Sequence, residues 1–368
     1  MSWLKRPLRE LVTAHYGKAL KKENRDENGA NQVFGSAGFV GNHNESLIHS
    51  QTIIVGRKGS VGKVVWAPDG GWVIDTAYYL TLKESEQLDW RYLYYALSVA
   101  QLEKKTITTS IPGLNRDDFY DTEIPLPPLE EQIRIAAILD KADAIRQKRK
   151  QAIDLADEFL RSLFLDMFGD PVTNPKGWDV KNLGSICQCI NGDRSSNYPS
   201  GSDLVEDGVL FLSTKNIVNN ELDLTHQQFI TNEKFKSLGR GKLLPNDMVI
   251  TLRGTLAQCA LFECMHRTGF INAQLMIVRS GTEILPEFLH SLMTSKGFNK
   301  ELKELGNGAA VPQLTGKQIN ELNIILPPID IQEKFLVARK IVRKMVLKQA
   351  SVPELFGSLS QKAFSGQL

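Results

Sequence analysis

The sequence lacks the features that define several classes of protein. No run of about 18 apolar residues occurs in its 368 positions, so no membrane-spanning helix is expected. No apolar segment of signal-peptide length follows the first residues, which favours a cytoplasmic protein. The six histidines are scattered, and the four cysteines all lie in the second half.

Net charge is also low, at +2, but it is unevenly distributed. Residues 1–63 hold 10 Lys and Arg against 5 Asp and Glu, whereas residues 64–124 hold 5 against 10. A domain polarised in this way can present a basic face to phosphates although it is neutral overall.

The sequence does contain a repeat, a globular segment followed by a long helical one, written twice. Four pairs of matching segments occur in the same order: Trp3–Gly17 with Trp178–Gly192, Ile53–Ser60 with Met248–Thr255, Ile111–Asn115 with Val311–Thr315, and Ile124–Leu129 with Ile324–Ile329. The offset rises from 175 to 195 and then to 200 residues. The second copy therefore carries an insertion between Gly192 and Gly254.

The repeat also predicts the role of the cysteines. Their C-x-C and C-x4-C spacings match the usual zinc patterns poorly. The offsets place Cys187, Cys189 and Cys259 opposite Val12, Ala14 and Val64. Small apolar counterparts indicate buried thiols that act as small hydrophobic side chains.

Each helical segment has a heptad pattern. Residues recur at alternating steps of three and four at Ile135, Ile138, Ala142, Ile145, Arg149, Ala152, Ala156, Phe159 and Leu163. Adding 200 gives Phe335, Ala338, Val342, Met345, Gln349, Val352, Phe356, Leu359 and Ala363. This spacing is typical of coiled coils, so we expect two antiparallel helices that brace the globular copies. The first is uninterrupted over Leu129–Phe168, and the second is expected to kink or restart at Ser351–Glu354.

The globular copies have the same order of predicted elements. Strands are predicted at Gln51–Val55, Lys63–Ala67 and Val73–Leu82, and again at Asp247–Leu252, Gln258–Glu263 and Phe270–Val278. Helices follow at Leu88–Glu103 and Leu285–Leu305. Short strands with one helix and Gly/Asn-rich loops predict an α+β fold, and loops of this kind carry recognition.

No enzyme active site is recognisable. The loop Gly56–Lys63 resembles a P-loop, but five residues separate its outer glycines and Val64 stands where Ser or Thr should bind magnesium. Asp69 with Glu103 is a weak candidate for a nuclease metal site. Neither an Asn-Pro-Pro-aromatic tetrad nor a serine nucleophile elbow is present. Any chemistry is therefore expected to belong to a partner.

The whole chain resembles the DNA-specificity subunits of type I restriction-modification systems. The resemblance is carried by Tyr16–Lys18, Gly35–Gly41, Ile54–Lys63, the Leu-Pro-Pro segments Leu126–Gln132 and Leu326–Gln332, and the ending Ala363–Leu368. It implies two α/β target-recognition domains, 1–124 and 171–326, joined with pseudo-two-fold symmetry by helical spacers, 125–170 and 327–368. Each domain would read one half of a bipartite, asymmetric site in double-stranded DNA.

The resemblance also implies partners. Two adenine methyltransferase subunits would dock on the helices, and restriction subunits would join them. S-adenosylmethionine, ATP and magnesium are expected in those partners, and no cofactor in this chain. The predicted docking residues are Ile135, Ile138, Ile145, Phe159, Phe335, Val342, Met345 and Phe356.

The predicted DNA contacts are basic and polar residues near the Gly-rich loops, where backbone can approach phosphates and Arg or Lys can reach guanine. In the first copy they are Lys18, Lys21, Lys22, Arg25, Arg57, Lys58, Ser60 and Lys63. In the second they are Arg194, Arg253, Thr255 and Gln258, with Lys215, Asn216, Arg240 and Lys242 in the insertion. Two alternatives stay open: a self-contained restriction enzyme, and a non-catalytic adaptor that binds protein and not DNA.

Overall fold

The structure is a computed structural model that describes residues 3–83, 88–105, 113–193, 197–307, 312–350 and 354–368. The chain forms two compact units. Unit 1 comprises residues 1–151 and 349–368, and unit 2 comprises residues 152–348.

Within the described ranges, no helix is both long enough and apolar enough to cross a membrane.

Both kinds of secondary structure alternate along the chain. The strands are β1 (Lys5–Pro7), β2 (Val12–Tyr16), β3 (Asn31–Gly35), β4 (Gly38–His43), β5 (Thr52–Gly56), β6 (Val64–Ala67), β7 (Trp72–Val73), β8 (Ala77–Leu82), β9 (Glu123–Pro125), β10 (Val180–Asn182), β11 (Cys187–Asn191), β12 (Leu204–Val205), β13 (Val209–Leu212), β14 (Ile217–Val218), β15 (Glu221–Leu222), β16 (Phe229–Ile230), β17 (Lys242–Leu243), β18 (Met248–Thr251), β19 (Cys259–Leu261), β20 (Gly269–Ile271), β21 (Leu275–Ser280) and β22 (Asn323–Ile325). The helices are α1 (Leu8–Leu11), α2 (Trp90–Val99), α3 (Arg116–Tyr120), α4 (Leu129–Phe168), α5 (Leu183–Ile186), α6 (Asn232–Ser237), α7 (Pro286–Met293), α8 (Lys296–Gly306), α9 (Gly316–Asn320), α10 (Ile329–Ala350) and α11 (Glu354–Ser365).

Unit 1 is built around an antiparallel sheet of order β2-β8-β5-β6. A smaller sheet, β4-β3-β7, pairs β3 with β7 in parallel. The ribbon β1–β9 ties the start of the chain to the segment before α4. Helix α2 covers the core, and its aromatic residues Tyr92 and Tyr95 are buried there.

Unit 2 repeats this plan with additions. Its main sheet has the order β11-β21-β18-β19, and the ribbon β10–β22 corresponds to β1–β9. The second sheet, β12-β16-β13-β20-β17, keeps one parallel pair, β13 with β20. Strands β12 to β17 and the hairpin β14–β15 lie between residues 204 and 243, so the predicted insertion enlarges the second sheet.

Most predicted elements are confirmed, with some corrected ends. The predicted helix Leu285–Leu305 is two helices, because the chain turns at Thr294 and Ser295 between α7 and α8. The predicted strands Val73–Leu82 and Phe270–Val278 are likewise divided, the first into β7 and β8 and the second into β20 and β21. Helix α4 runs unbroken over the 40 residues expected. The expected interruption near Pro353 falls on residues 351–353, outside the described ranges; α10 ends at Ala350 and α11 begins at Glu354.

The predicted heptad seam is only partly correct. Ile135 and Phe335 are buried, and Ile138, Val342 and Phe356 are half-buried. Three seam residues are exposed instead: 43% of Ile145, 53% of Phe159 and 61% of Met345. At the start of α4, Leu139, which is not a seam residue, is buried in the core of unit 1 together with the seam residue Ile135, and the seam residue Ala142 is buried as well.

In unit 1 the first part of α4 packs antiparallel to α11. Arg134 donates a hydrogen bond to the carbonyl of Leu368, while twelve residues later the Arg146 guanidinium lies 5.0 Å from the Phe356 ring centre. Residue numbers therefore increase along α4 while those of the residues it contacts decrease, so the two helices run in opposite directions. Phe364 of α11 also packs on Tyr92 of α2, with ring centres 5.6 Å apart.

In unit 2 the end of α4 takes the equivalent place. Phe164 and Phe168 form a buried aromatic cluster with Phe288 of α7 and Phe335 of α10. Burying each such ring contributes about 1.5–3 kcal/mol. The tryptophans that open the copies behave alike: Trp3 donates to the carbonyl of Ala363, and Trp178 to that of Phe168. Each unit therefore encloses the start of one helix and the end of the other.

One buried glutamine fixes the start of each long helix. The Oε1 atom of Gln132 accepts from the backbone N–H of Asp89, and that of Gln332 from Leu285, both at 2.9 Å. Their Nε2 atoms donate to the carbonyls of Pro127 and Pro327. Both glutamines are fully buried. The Leu-Pro-Pro-x-x-x-Gln pattern is thus a structural anchor between the helix start and the globular part.

Replacing Gln332 by alanine is expected to destabilise unit 2 by roughly 2–3 kcal/mol, because the N–H of Leu285 and two carbonyls lose their partner. Urea unfolding of the purified chain measures this. Gln227→Ala, at an exposed glutamine with one bond to Leu224, is the control and should change stability by less than about 0.5 kcal/mol. Equal effects of the two substitutions would contradict the anchor.

Candidate functional site

The Gly-rich loop of each copy has the same backbone structure. In unit 1 it joins β5 to β6, and in unit 2 it joins β18 to β19. Gly59 and Gly254 have φ of +77° and +78°, and Gly62 and Ala257 have +75° and +59°. Both loops connect antiparallel strands, whereas a P-loop leads from a strand into a helix. Neither loop therefore has the geometry of a P-loop.

Matching hydrogen bonds hold the two loops. The carbonyl of Arg57 accepts from Leu114, and that of Leu252 accepts from Leu314. Lys58 pairs with Gly113, and Arg253 pairs with Gln313, through isolated backbone bridges. These bonds place Lys58 and Arg253 at equivalent positions, and both side chains are exposed. One cationic side chain thus stands at the same point of each loop.

The other predicted residues of the first loop lie close by. The ammonium of Lys63 donates to the carbonyl of Ala37 at 2.6 Å, which ties the loop to the turn between β3 and β4. Ser60 is exposed. Arg57 is half-buried and donates to the carbonyl of Asp75 at 3.0 Å. We define the first loop cluster as residues 16–18, 36–37, 57–63, 74–76 and 113–116.

Some of the basic residues predicted after β2 contact other parts of the protein. Lys18, Lys21 and Lys22 are exposed, although Lys21 lies 3.6 Å from Glu23. The guanidinium of Arg25 instead donates to the carbonyls of Val40 and Leu20. Arg25 therefore holds its own loop, and these contacts favour a structural role for it.

The second loop is supported by the insertion. Gln258 accepts from the backbone N–H of Asn220 at 3.0 Å, so its amide oxygen is used within the protein. Asn220 in turn accepts from the N–H of Cys259. Thr255 is exposed, and its carbonyl accepts from the hydroxyl of Thr251 at 2.5 Å. The hairpin β14–β15 thus packs beside the Gly-rich loop, which brings part of the insertion to the candidate site.

Within the insertion, Asn216 is held by the protein. Its side chain is 5% exposed and accepts from Ser213, while it donates to the carbonyls of Asp223 and His226. These bonds serve the turn and favour a structural role for Asn216. Its neighbour Lys215 is exposed and stays a candidate.

The remaining predicted contacts are distributed over the second sheet. Arg240 is exposed. The ammonium of Lys242 lies 4.9 Å from the ring centre of Phe235 and is half-buried. Arg194 lies outside the described residues. These positions, like those of the loops, stay predictions as DNA contacts.

Arg116 is a further residue at this site that was not predicted from the sequence. It begins α3, directly after the segment 111–115 that matches the second copy, and it is exposed. Its guanidinium lies 5.3 Å from the ring centre of Tyr16, which is 49% exposed. The available signal was the replacement of this arginine by Gly316 in the second copy.

No group of three or more His, Cys, Asp or Glu side chains among the described residues is arranged to hold an ion. Burial raises the pKa of Cys187 to about 11 and the pKa values of Cys189 and Cys259 to about 12. Cys187 and Cys259 are buried and pack as small apolar groups.

Known proteins are similar to this chain in sequence and in fold. The type I restriction modification DNA specificity domain family matches residues 2–155 and 175–337, and the chain belongs to this family. It is 22% identical over 356 residues to the type I restriction enzyme EcoBI specificity subunit of Escherichia coli, covering 87% of this chain and 74% of that one. It is also 22% identical to the MjaVIII specificity subunit of Methanocaldococcus jannaschii, with 82% and 74% covered.

Solved structures agree on the fold. The type I restriction-modification S subunit from M. genitalium superposes with a TM-score of 0.66 at 19% identity, covering 99% of this chain and 96% of that one. A chain from a structure of type I complex assembly and conformational transition gives 0.52 at 18% identity, with 100% and 98% covered. The expected fold is thereby confirmed, as is the function of a type I specificity subunit.

Proposed function

We propose that this chain reads a bipartite, asymmetric site in double-stranded DNA, one half-site by each unit, and that it does so without catalytic activity of its own. The proposal rests on the two Gly-rich loops, which are held by equivalent backbone bridges. Each loop has an exposed cation, Lys58 or Arg253, at the equivalent position. Exposed Lys and Arg beside Gly-rich backbone suit contacts to phosphates and to guanine. We expect it to act in the cytoplasm, where the DNA is.

We also propose that the long helices dock two adenine methyltransferase subunits, which restriction subunits join. The support is the set of large apolar side chains that α4 and α10 leave exposed: Leu155 65%, Phe159 53%, Val337 61%, Ile341 52% and Met345 61%. Exposed apolar groups in such numbers are typical of protein interfaces. S-adenosylmethionine, ATP and magnesium would be held by these partners, because neither Gly-rich loop has the form of a nucleotide site.

Arg253→Ala should weaken binding to the cognate site by about 10-fold to 100-fold, and to random DNA by much less. The reason is that a guanine contact discriminates between sequences, whereas a phosphate contact does not. Fluorescence anisotropy with the assembled methyltransferase complex measures both affinities. The control is Lys181→Ala, which removes an exposed cation of the ribbon β10–β22 that forms an ion pair with Glu283. Equal losses on both DNAs would reduce Arg253 to a phosphate contact.

Phe159→Asp combined with Met345→Asp should impair assembly with the methyltransferase, because a carboxylate would enter an apolar interface. Folding should change little, since both side chains are largely exposed. Co-expression and size-exclusion chromatography report the assembled fraction, and circular dichroism reports the fold. Glu158→Gln, one residue from Phe159, is the control. Normal assembly of the double variant would exclude these positions from the docking surface.

A further inference from the structure

Unit 1 contains a small cation-aromatic cluster, and the equivalent positions of unit 2 hold neither an aromatic nor a cationic residue. The Tyr16 ring, at the end of β2, has the guanidinium carbons of Arg57 and Arg116 at 4.9 and 5.3 Å from its centre. Both distances are within the range of cation-π attraction. Tyr78, whose ring centre lies 5.1 Å from that of Tyr16, backs the cluster from the sheet. Three different segments of the first loop cluster thus meet at one exposed ring.

The two arginines differ in what their donors do. Arg57 donates from Nη1 to the carbonyl of Asp75, and its guanidinium also lies 5.9 Å from the Tyr78 ring centre. It is therefore held by the protein. The side chain of Arg116 makes no hydrogen bond and no ion pair among the described residues, and it is exposed. Its planar group of donors rests beside Tyr16 and is open to solvent.

Among the described residues, no carboxylate forms an ion pair with Arg57 or Arg116. Asp75 and Asp117 adjoin the cluster along the chain, but neither forms an ion pair with Arg57 or Arg116 in the described part of the structure. Two guanidinium groups held near one ring repel each other, and an approaching electronegative ligand relieves this repulsion. Lys58, exposed on the same loop, adds to the positive field.

The second copy shows that the scaffold does not need the cluster. The repeat offsets place Asn191, Leu252 and Gly316 where unit 1 has Tyr16, Arg57 and Arg116. A Cβ atom on Gly316 would lie 3.1 Å from the Met276 side chain and 3.2 Å from that of Asn191, so this space is already filled. Anchors that serve the fold recur in both copies, whereas this cluster does not. The cluster is therefore not needed for the fold, which favours a role in recognition by unit 1.

We propose that Arg116, oriented by Tyr16, is a specificity-determining residue that donates two hydrogen bonds to O6 and N7 of a guanine in the first half-site. The inference rests on the proposed function and deepens it. Arg57 acts as a positioning residue, because its donors hold the loop and its charge keeps Tyr16 in place. Arginine suits this role since its two parallel donors match the guanine edge, which a lysine ammonium cannot do in the same fixed geometry.

The test is a selection from duplexes with a randomised first half-site and a fixed second one, bound by the assembled methyltransferase complex. Arg116→Lys keeps the charge and loses the planar group, whereas Tyr16→Leu loses the ring and Tyr16→Phe keeps it. We expect the first two to lower the preference for guanine at one position of the first half-site by about 10-fold or more. Tyr16→Phe and the control Arg6→Lys, at an exposed arginine paired with Glu10, should keep it.

Each other outcome overturns a distinct statement. An unchanged guanine preference in both Arg116→Lys and Tyr16→Leu would exclude base reading by Arg116. An equal loss of affinity for all sequences would make Arg116 a phosphate contact and also contradict the inference. Circular dichroism and urea unfolding of Arg116→Lys, an exposed and conservative change, should match the wild type. A wild-type complex without any split sequence preference would contradict the proposed function itself.

Discussion

The buried glutamines at the starts of α4 and α10 are the contacts on which the arrangement of both units depends. Gln132 and Gln332 each accept a hydrogen bond from a backbone N–H at the start of a helix in the globular part. Each also donates a hydrogen bond to the carbonyl of a proline that precedes the long helix. Because these amides are fully buried, losing them leaves backbone groups without partners or water. A recognition loop is useful in reading DNA only if its position relative to the helix is fixed. The glutamine supplies that fixed point twice, and the opening tryptophans, Trp3 and Trp178, add a second tie to the end of the other helix.

This construction separates what is common to the units from what is particular to each. The sheets, the ribbons, the glutamine anchors and the loop bonds recur, and together they set where the Gly-rich loops lie. The particular parts are the side chains at the loop tips, the insertion with its hairpin in unit 2, and the Tyr16 cluster in unit 1. Such a division allows the bases read by one unit to change without disturbing the scaffold. It also explains why the two repeats, which share the same fold, are not identical.

The repeat, the helices and most strands were predictable from the sequence because their signals are periodic. The insertion could be placed from the change in offset at Gly192 and Gly254. The helix seam was predicted less well, since heptad spacing does not show which face another element will cover. Leu139, which is not on the predicted seam, is buried in the core of unit 1, whereas Ile145 and Phe159 are left exposed. Single side chains were the least predictable part: Asn216 belongs to a buried turn and Arg25 to a loop, because residue type alone does not reveal local hydrogen bonds. The importance of Arg116 lay in a contact with Tyr16, a hundred residues away in sequence.

The central claim is that one chain specifies two separated DNA half-sites. The most direct measurement is a genome-wide map of methylated adenines in a host without adenine methylation, after co-expression of this chain with its methyltransferase partner. The account predicts a single split motif, with two short specified parts and a fixed unspecified gap, that is lost when this chain is omitted. A demonstrably assembled complex that methylates no sequence, or methylates a motif that does not depend on this chain, would contradict it.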